Sequence, residues 1–384
     1  MSLIPTGVEV TEDERLFIDT AGEFARSELL PLERKWDRDE SSVVEVLPKL
    51  AEMGFLNLCF PEELNGLGCS CRIYAAILHE LSKWSPSTCV TVGVHHLTGN
   101  ILLRYLKEPV RSEVLATWGD PANLAAFALS EAEAGSDAGA AKAAAVEVDG
   151  GFRINGEKMW ITNGLNSRWL LLLVRLPSAP EKEQLCAVLV DARDQAVDRA
   201  KIEGKMGIRG SETAVLYFND VFVPERYLIG ERGRGLQVML SGLNEGRIGI
   251  AAQASGIAEA CLAEMVSYAR ERQQFDRPIG RLQAVANMIA DSAVELEASR
   301  SLIWRAAAYV DAHRPVPAAS SMAKLYATEA ANRIAYRAVQ VHGGTGYVNE
   351  CRVEQLYRDV RVTTIYEGTS EIQRVVIARE LAKA

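Results

Sequence analysis

Phe127-Ala-Leu-Ser-Glu-Ala-Glu-Ala-Gly-Ser-Asp137 lies where the hydrophobic pattern of the chain changes its period. Before it, from Thr11 to about Leu124, apolar residues recur at helical spacing. One such face carries Ile73, Ile77, Leu81 and Trp84. After it, up to about Glu225, short apolar runs alternate with turn residues, which is typical of β-strands. The stretch is rich in small and polar residues, so we expect a loop region at the start of a β domain.

Within the β-rich region, Val146 to Ile154 predicts a strand, an Asp-Gly-Gly turn and a second strand. Asn155-Gly156 predicts a further hairpin turn directly after it. Thr213 to Val223 is rich in β-branched and aromatic residues and predicts a strand that ends at Pro224.

Long helical patterns return after about Leu236 and include a proline-free segment from Ser241 to Arg272. A later one begins near Pro317 and stops at Gly343-Gly344. This order predicts an α+β fold whose C-terminal part is an antiparallel helical bundle. The predicted domains are an N-terminal helical domain (1–124), a middle β-barrel or β-sandwich domain (125–236) and a C-terminal four-helix-bundle domain (237–384).

Composition narrows the functional classes. The net charge is −9, and the absence of any basic block argues against nucleic-acid binding. The longest uncharged stretch, Trp84 to Leu103, contains Pro, Gly and two adjacent His, so we expect a buried helix there and no membrane span. Seven cysteines at irregular spacing favour a reducing compartment and no metal site. No targeting segment is recognisable, so we expect a cytoplasmic protein, or one of the mitochondrial matrix if the source is eukaryotic.

Three separated segments carry residues that suit a reaction site. Backbone amides in the 127–137 loop can hydrogen-bond an anionic or carbonyl-rich ligand. In Lys158-Met-Trp-Ile-Thr-Asn-Gly164, the Trp and the Thr share one face of a strand, so an indole can cover a flat ring beside a hydroxyl. Tyr366-Glu-Gly-Thr-Ser-Glu371 places one carboxylate in apolar surroundings. Each alone also has an ordinary reading: a loop, a core Trp beside a turn, and a solvated Glu.

In this order and at these separations, the three segments resemble the acyl-CoA dehydrogenase family of flavoenzymes, and the resemblance extends over essentially the whole chain. It implies FAD as cofactor and the α,β-dehydrogenation of an acyl-CoA to the trans-2-enoyl-CoA. Glu367 would abstract the α-proton, and FAD N5 would take the β-hydride. The backbone N–H of Glu367 and a ribityl hydroxyl of FAD would stabilise the thioester oxygen. Because protein side chains cannot accept a hydride, such a reaction requires a flavin, and its base benefits from desolvation.

The resemblance also implies which residues contact the cofactor. In the middle domain they are Phe127, Leu129, Ser130, Ser136, Trp160 and Thr162. A neighbouring subunit would contribute Arg272, Phe275, Gln283, Gln340, Gly343 and Gly344. Thr369 and Glu371, which follow the base, complete the set.

The substrate contacts implied in the same way are Ser136, Asn244, Arg247, Tyr366 and Gly368. Some members of the family carry the base at the position held here by Gly246, so the glycine and the presence of Glu367 place it in the commoner location. Glu245 should point elsewhere, because adjacent helical residues face different directions.

Two positions depart from the family pattern: Ala132 replaces a common proline, and Gln355 replaces a basic residue, although Asp359 is in place. The segments 243–250 and 365–374 look most like the short-chain, butyryl-type members. We therefore expect a short or medium acyl chain, including branched or cyclic ones. No Arg lies in Ser87 to Leu97 to pair with a terminal carboxylate, which disfavours a glutaryl-type substrate.

The implied partners are an electron-transferring flavoprotein and further copies of the chain in a homotetramer, a dimer of dimers. Two alternatives stay open. One is an acyl-CoA oxidase that passes electrons to oxygen. The other is a non-catalytic relative, either a DNA-protecting flavoprotein, which the acidic balance opposes, or a respiratory-complex assembly factor, which the intact Glu367 motif opposes.

Overall fold

The computed structural model describes residues 3–5, 8–193 and 196–383. The part before the β domain is helical. Its α-helices are α1 (Glu12–Phe24), α2 (Leu30–Asp39), α3 (Leu47–Glu52), α4 (Cys71–Trp84), α5 (Pro86–Tyr105) and α6 (Val110–Leu115). Thr11 begins α1 with a capping box that it forms with Glu14. The uncharged stretch predicted to be a buried helix is α5, which confirms that prediction.

Strands fill the middle of the chain. They are β1 (Ala125–Ala128), β2 (Ala144–Val148), β3 (Gly151–Thr162), β4 (Trp169–Arg175), β5 (Leu185–Asp191), β6 (Val197–Lys201), β7 (Thr213–Pro224) and β8 (Leu228–Ile229). Their order in the sheet is β6-β7-β3-β2-β4-β5-β8, and β1 pairs with β4 in parallel. The side chains of both halves of this sheet share one apolar core, which includes Phe152, Ile154, Leu170, Leu172, Val188 and Leu216.

The second hairpin turn predicted at Asn155-Gly156 is wrong. β3 continues through both residues, because Ile154 pairs with Val221 and Gly156 with Phe218 on the same neighbouring strand, β7. The register shifts between Ile154 and Gly156, which is the mark of a bulge. Gly156 has a φ of +136°, and a Cβ there would lie 2.8 Å from the Cα of Ala143. The dipeptide therefore bends a continuous strand.

Five α-helices follow the sheet: α7 (Gly235–Glu271), α8 (Gln283–Asp311), α9 (Pro317–His342), α10 (Arg352–Val360) and α11 (Ser370–Leu381). A short hairpin of β9 (Gln273–Gln274) and β10 (Arg277–Pro278) joins α7 to α8. With 37 residues, α7 is about 55 Å long and packs against α4, α5, α8 and α9. The predicted α+β order is confirmed. In the described part of the chain, no helix combines the length and the apolar character that crossing a membrane requires.

We expect Gly256→Ala to destabilise the protein, although alanine favours helices. The added Cβ would lie 2.3 Å from the carbonyl oxygen of His79 and 2.9 Å from the amide nitrogen of Lys83. Both atoms belong to the backbone of α4, so α4 and α7 would have to separate, at a cost of about 1–3 kcal/mol. Thermal unfolding should show a melting temperature lower by about 2 °C or more. In the control Gly93→Ala the Cβ meets no atom within 4 Å, and stability should stay equal or rise. Equal melting temperatures for the two variants would contradict this account.

Candidate active site

Glu367 lies in the turn between a 3₁₀ segment, Arg361–Thr364, and α11. Its φ is +51°, and that of Gly368 is +91°, so two successive residues adopt positive φ. Such a conformation is costly for a residue with a side chain and is found mostly where the surroundings enforce it. The next residue, Thr369, caps α11 by accepting a hydrogen bond from the amide of Ile372 at 3.4 Å. The exposed Glu371 lies in the first turn of α11.

Two side chains from neighbouring helices hold this turn. The Nζ of Lys324, on α9, donates to the carbonyl oxygen of Gly368 at 2.7 Å. The Nε2 of Gln373, on α11, donates to the same oxygen at 2.8 Å and to that of Glu367 at 3.3 Å. Both Lys324 and Gln373 are fully buried. Sequence reasoning missed both residues.

The side chain of Glu367 lies against α7 at Gly246. A Cβ on Gly246 would be 2.2 Å from the Oε2 of Glu367, so no side chain fits there beside this carboxylate. The neighbouring Glu245 points away, as predicted: its carboxylate accepts from Asn100 Nδ2 at 2.9 Å and pairs with Arg104. The Glu367 carboxylate can therefore occupy this position only because residue 246 is a glycine.

The carboxylate is poorly solvated. Glu367 as a residue is only partly buried, but its Oε2 has no solvent contact and no hydrogen-bond partner among the described residues. Burial raises the pKa of Glu367 to about 7, and the cations of Lys324 and Arg247 limit that rise. A carboxyl group with this pKa exchanges a proton near neutral pH, which suits a general base.

A narrow cavity between α4, α5 and α7 ends at this carboxylate. Its volume is about 250 Å³. The lining is mostly apolar and consists of Tyr74, Leu78, Cys89, Val90, Gly93, Val94, Gly246, Gly249, Ile250, Gln253 and Glu367. Gln253 is fixed at both ends of its amide: its Oε1 accepts from the hydroxyl of Tyr366, and its Nε2 donates to the carbonyl of Pro86 at 3.1 Å.

Trp160 stands at the end of β3 with 59% of its surface exposed. Its φ is +64°, and the pairing of β3 with β7 is irregular between Lys158 and Ile161. This bulge turns the indole outwards, on the side opposite the buried Ile161. Thr162, two residues on, is half-buried. A large exposed aromatic ring on a rigid strand fits a flat ligand ring.

A buried ion pair fixes the 127–137 segment beside Trp160. The Nζ of Lys158 lies 2.7 Å from Glu131 Oε1 and donates to the carbonyl of Leu129 at 3.1 Å. The amide of Met159 donates to the carbonyl of Ser130 at 2.9 Å. Leu129 is buried, Ser130 is half-buried, and Ser136, farther along the loop, is exposed. The signal for this pair was in the sequence, as opposite charges inside two motifs, but their contact was not predicted.

One apolar cluster connects the middle domain to the turn that carries Glu367. The half-buried Phe127 and Tyr366 both pack on this cluster, which is formed by Val90, Val94 and Ile208. Within α7, the Nη1 of Arg247 donates to Asn244 Oδ1 at 3.3 Å, and Nε of Arg247 has no hydrogen-bond partner among the described residues. Of the predicted cofactor residues of the middle domain, Phe127 is therefore the one that this cluster joins to a predicted substrate residue, Tyr366.

The other predicted cofactor residues lie elsewhere. They are exposed and occupy the β9–β10 hairpin with its flanking residues, the start of α8 and the end of α9: Arg272, Phe275, Gln283, Gln340, Gly343 and Gly344. At about 1.5 Å per residue, Gln340 is about 24 Å along α9 from Lys324, which contacts the Glu367 turn. The structure does not bring this group to Glu367 of the same chain.

The departure at Gln355 leaves a well-connected region. Gln355 is buried, and Asp359 accepts a hydrogen bond from the amide of Ile208 at 2.5 Å. The neighbouring Arg358 pairs with Asp37 at 2.6 Å and with Glu354 at 2.5 Å. Ile208 has a φ of +50°, which is unusual for a β-branched residue, and Asp359 holds it there.

Three family models match consecutive parts of the chain: the acyl-CoA dehydrogenase N-terminal domain (residues 11–118), middle domain (126–221) and C-terminal domain (233–382). The chain belongs to the acyl-CoA dehydrogenase family. It is 38% identical to the mitochondrial short-chain specific acyl-CoA dehydrogenase of Rattus norvegicus over 378 residues, 98% of this chain and 92% of the relative. It is 35% identical to an acyl-CoA dehydrogenase of Bacillus subtilis over 375 residues, 97% of this chain and 99% of the relative.

Solved structures agree. Butyryl-CoA dehydrogenase from Megasphaera elsdenii is 31% identical, with a TM-score of 0.95 over 98% of this chain and 100% of the other. A chain solved in work on the electron transferring flavoprotein of Acidaminococcus fermentans is 34% identical, with a TM-score of 0.95 over 99% of this chain and 100% of the other. This acyl-CoA dehydrogenase family member is an oxidoreductase with FAD as cofactor. The exposed ring of Trp160 fits the flat ring of a flavin. The Oε2 of Glu367 has no hydrogen-bond partner among the described residues, so this atom is available to a substrate.

We expect Glu367→Gln to stabilise the protein more at pH 8 than at pH 5. The folded-state pKa of about 7 lies above the ordinary value of 4.5, so folding favours the protonated form. As the pH rises from about 4.5 to about 7, ionisation of Glu367 lowers the free energy of unfolding of the wild type, by roughly 1–3 kcal/mol at higher pH. The variant has no carboxyl group at this position and does not lose this stability. Melting curves at both pH values test this.

Glu371→Gln is the matched control for this measurement. Its hydrogen bonds to its own amide and to Thr369 lower the pKa of Glu371, so the sign reverses and this variant should gain nothing at pH 8. A stability gain of Glu367→Gln that does not change with pH would contradict a raised pKa.

Proposed function

We propose that this enzyme dehydrogenates a short-chain acyl-CoA to the trans-2-enoyl-CoA, with Glu367 as the base that removes the α-proton. The observation that carries the proposal is the carboxylate of Glu367, which lines a mostly apolar cavity. Its Oε2 is buried without a hydrogen-bond partner in the described part of the chain, and burial raises the pKa of Glu367 to about 7. Because the charged form of this carboxylate is poorly solvated, its proton affinity is high. It can therefore accept a proton from a weak carbon acid once the substrate excludes water.

Bound FAD supplies the hydride acceptor that no side chain can provide. The chain's own residues supply placement. Trp160 and Thr162 would hold the flavin ring from β3, with Phe127, Leu129 and Ser130 beside it, and Glu367 would face the substrate from the opposite wall. Thr369 and Glu371 would contact the cofactor from the first turn of α11. The backbone N–H of Glu367 would donate to the thioester oxygen, where negative charge develops.

The coenzyme A portion would lie along α7. Arg247 is mostly buried and contacts Asn244, so its guanidinium is pre-positioned for a polar substrate group. Ser136, exposed on the 127–137 loop, would contact the pantetheine, and Tyr366 and Gly368 would line the thioester end. These roles follow the family pattern, and the packing of Phe127 and Tyr366 on one apolar cluster supports them.

The shape of the cavity supports a short acyl chain. Along α7 its lining runs from Gly246 to Gln253, about 10 Å, and the Tyr366–Gln253–Pro86 hydrogen bonds fix a polar side chain at the Gln253 end. Its described lining contains no Lys or Arg, which agrees with a substrate that lacks a terminal carboxylate. The short span of the lining along α7 therefore favours a short acyl chain over a long one.

A homotetramer, built as a dimer of dimers, would complete the cofactor site. Because Gln340 lies about 24 Å along α9 from Lys324, beside the Glu367 turn, its group reaches a flavin most readily across a subunit contact. Arg272 offers a guanidinium fork for the pyrophosphate, and Phe275, 81% exposed, offers a ring surface. We further propose an electron-transferring flavoprotein as the electron acceptor, in line with the family.

Glu367→Gln should keep the yellow flavin colour and lose its response to substrate. The wild-type enzyme, titrated without oxygen with acyl-CoAs of two to twelve carbons, should bleach most strongly near four. The variant should bleach at least about 10³-fold more slowly, because proton abstraction loses its base. Glu380→Gln, which changes a carboxylate in the last turn of α11, is the control. Rapid bleaching of the Glu367→Gln flavin would refute the assignment.

The same material separates the alternatives. Reduced wild-type enzyme holding its product should reoxidise slowly in air and quickly with an electron-transferring flavoprotein. Fast reoxidation by oxygen alone would indicate an oxidase. A flavin that no acyl-CoA bleaches would indicate a non-catalytic relative.

Gln253→Ala should lengthen the cavity and move the preference towards longer chains. The kcat/KM ratio for hexanoyl- over butyryl-CoA should rise by about tenfold or more, since one or two methylenes in an apolar pocket are worth about 1–3 kcal/mol. Gln373→Ala, which removes a glutamine amide outside the cavity, should leave that ratio unchanged. An unchanged ratio in Gln253→Ala would show that Gln253 does not limit chain length.

A further inference from the structure

The turn that carries Glu367 is held by two donors of different charge. Lys324 and Gln373 donate to one acceptor, the carbonyl oxygen of Gly368, at 2.7 and 2.8 Å. A Cβ on Gly368 would lie 2.8 Å from the Gln373 amide nitrogen, so the glutamine packs directly under the turn. The geometry of the turn is therefore secured twice, whereas only one of the two donors is a cation.

A lysine is an expensive choice for this task. The Lys324 side chain is fully buried, and among the described residues its ammonium donates a hydrogen bond to a neutral carbonyl, that of Gly368. Burial lowers the pKa of Lys324 to about 8, against the opposing influence of the Glu367 carboxylate. A buried cation without a hydrogen-bonded carboxylate is rare unless its charge has a use.

We propose that Lys324 is a positioning residue for Glu367: its ammonium fixes the turn through the Gly368 carbonyl and supplies the counter-charge that lets the buried carboxylate ionise. The inference rests on the proposed role of Glu367 as the base. The two donors then have different roles. Both Lys324 and Gln373 hold the backbone of the turn, but only Lys324 carries a positive charge that stabilises a negative one.

Other groups around the base do not replace this cation. Arg247, from α7, is the second positive charge near Glu367. Tyr74 from α4, Cys89 from α5 and Tyr366 from the turn itself are neutral, because burial raises the pKa of each. Around Lys324, the carboxylates of Glu329 and Glu371 raise its pKa and Arg247 lowers it, while Arg379 acts on Arg247. In the proposed function Arg247 binds the coenzyme A portion of the substrate. Lys324 is then the cation that stabilises the negative charge of Glu367.

The test compares Lys324→Met with Gln373→Met in the FAD-loaded enzyme. Each variant removes one hydrogen bond to Gly368, but only the first removes a charge. Lys324→Met should move the acidic limb of the kcat/KM profile to higher pH by about one unit and lower kcat about 10–100-fold, with KM nearly unchanged. Gln373→Met should lower kcat without moving the limb, and Lys324→Arg should restore its position. An unmoved limb in Lys324→Met would overturn the proposal.

A second readout needs no activity. The stabilisation that Glu367→Gln gives at pH 8 relative to pH 5 should be larger in a Lys324→Met background than in the wild type, because the carboxylate has lost its counter-charge. An equal gain in both backgrounds would overturn the proposal even if Glu367 were the base. If Glu367→Gln stays active, the proposed function fails, and this melting comparison still decides the coupling. Should Lys324→Met not fold, Lys324→Gln supplies the neutral variant.

Discussion

The carboxylate of Glu367 packs against bare backbone at Gly246, and most of the site follows from that contact. A side chain at position 246 and a carboxylate from the turn cannot occupy the same space. Ten residues farther along α7, Gly256 lets this helix run close to the backbone of α4. The apolar cavity between these helices then removes water from the carboxylate and raises its pKa. These close approaches thus set both the position and the proton affinity of the Glu367 carboxylate.

This arrangement carries a cost in stability. Glu367 adopts a positive φ, its carboxyl group is desolvated, and a lysine is buried beside it. Each of these features is unfavourable alone, by roughly 1–3 kcal/mol for the backbone conformation. Side chains of α9 and α11 compensate for them by holding the turn through two hydrogen bonds to the carbonyl oxygen of Gly368. In the middle domain, the buried Lys158–Glu131 ion pair holds the 127–137 segment against β3 in the same way.

The sequence predicted the order of helices and strands well, because that order depends on local periodicity. It also predicted the apolar surroundings of Glu367, because this residue and its apolar neighbours lie in one short segment. It did not predict Lys324, Gln373 or Gln253, whose contacts join residues that no short motif contains. At Asn155-Gly156 the sequence favours a turn, but the residues before and after Asn155 both pair with β7, and this pairing keeps the strand continuous. Contacts between residues of the same motif could therefore be predicted from the sequence. Contacts between side chains of different helices in the core could not.

The length of α7 has a consequence for the whole particle. In the proposed assembly, one end of this helix walls the cleft of its own protomer and the other end, about 39 Å beyond Gly246, presents Arg272 to a neighbour's flavin. The affinity for FAD would then depend on the protein concentration. When two subunits dissociate, each loses the part of its FAD site that the other subunit supplies. By mass action, dilution would release flavin, and added flavin would draw subunits together.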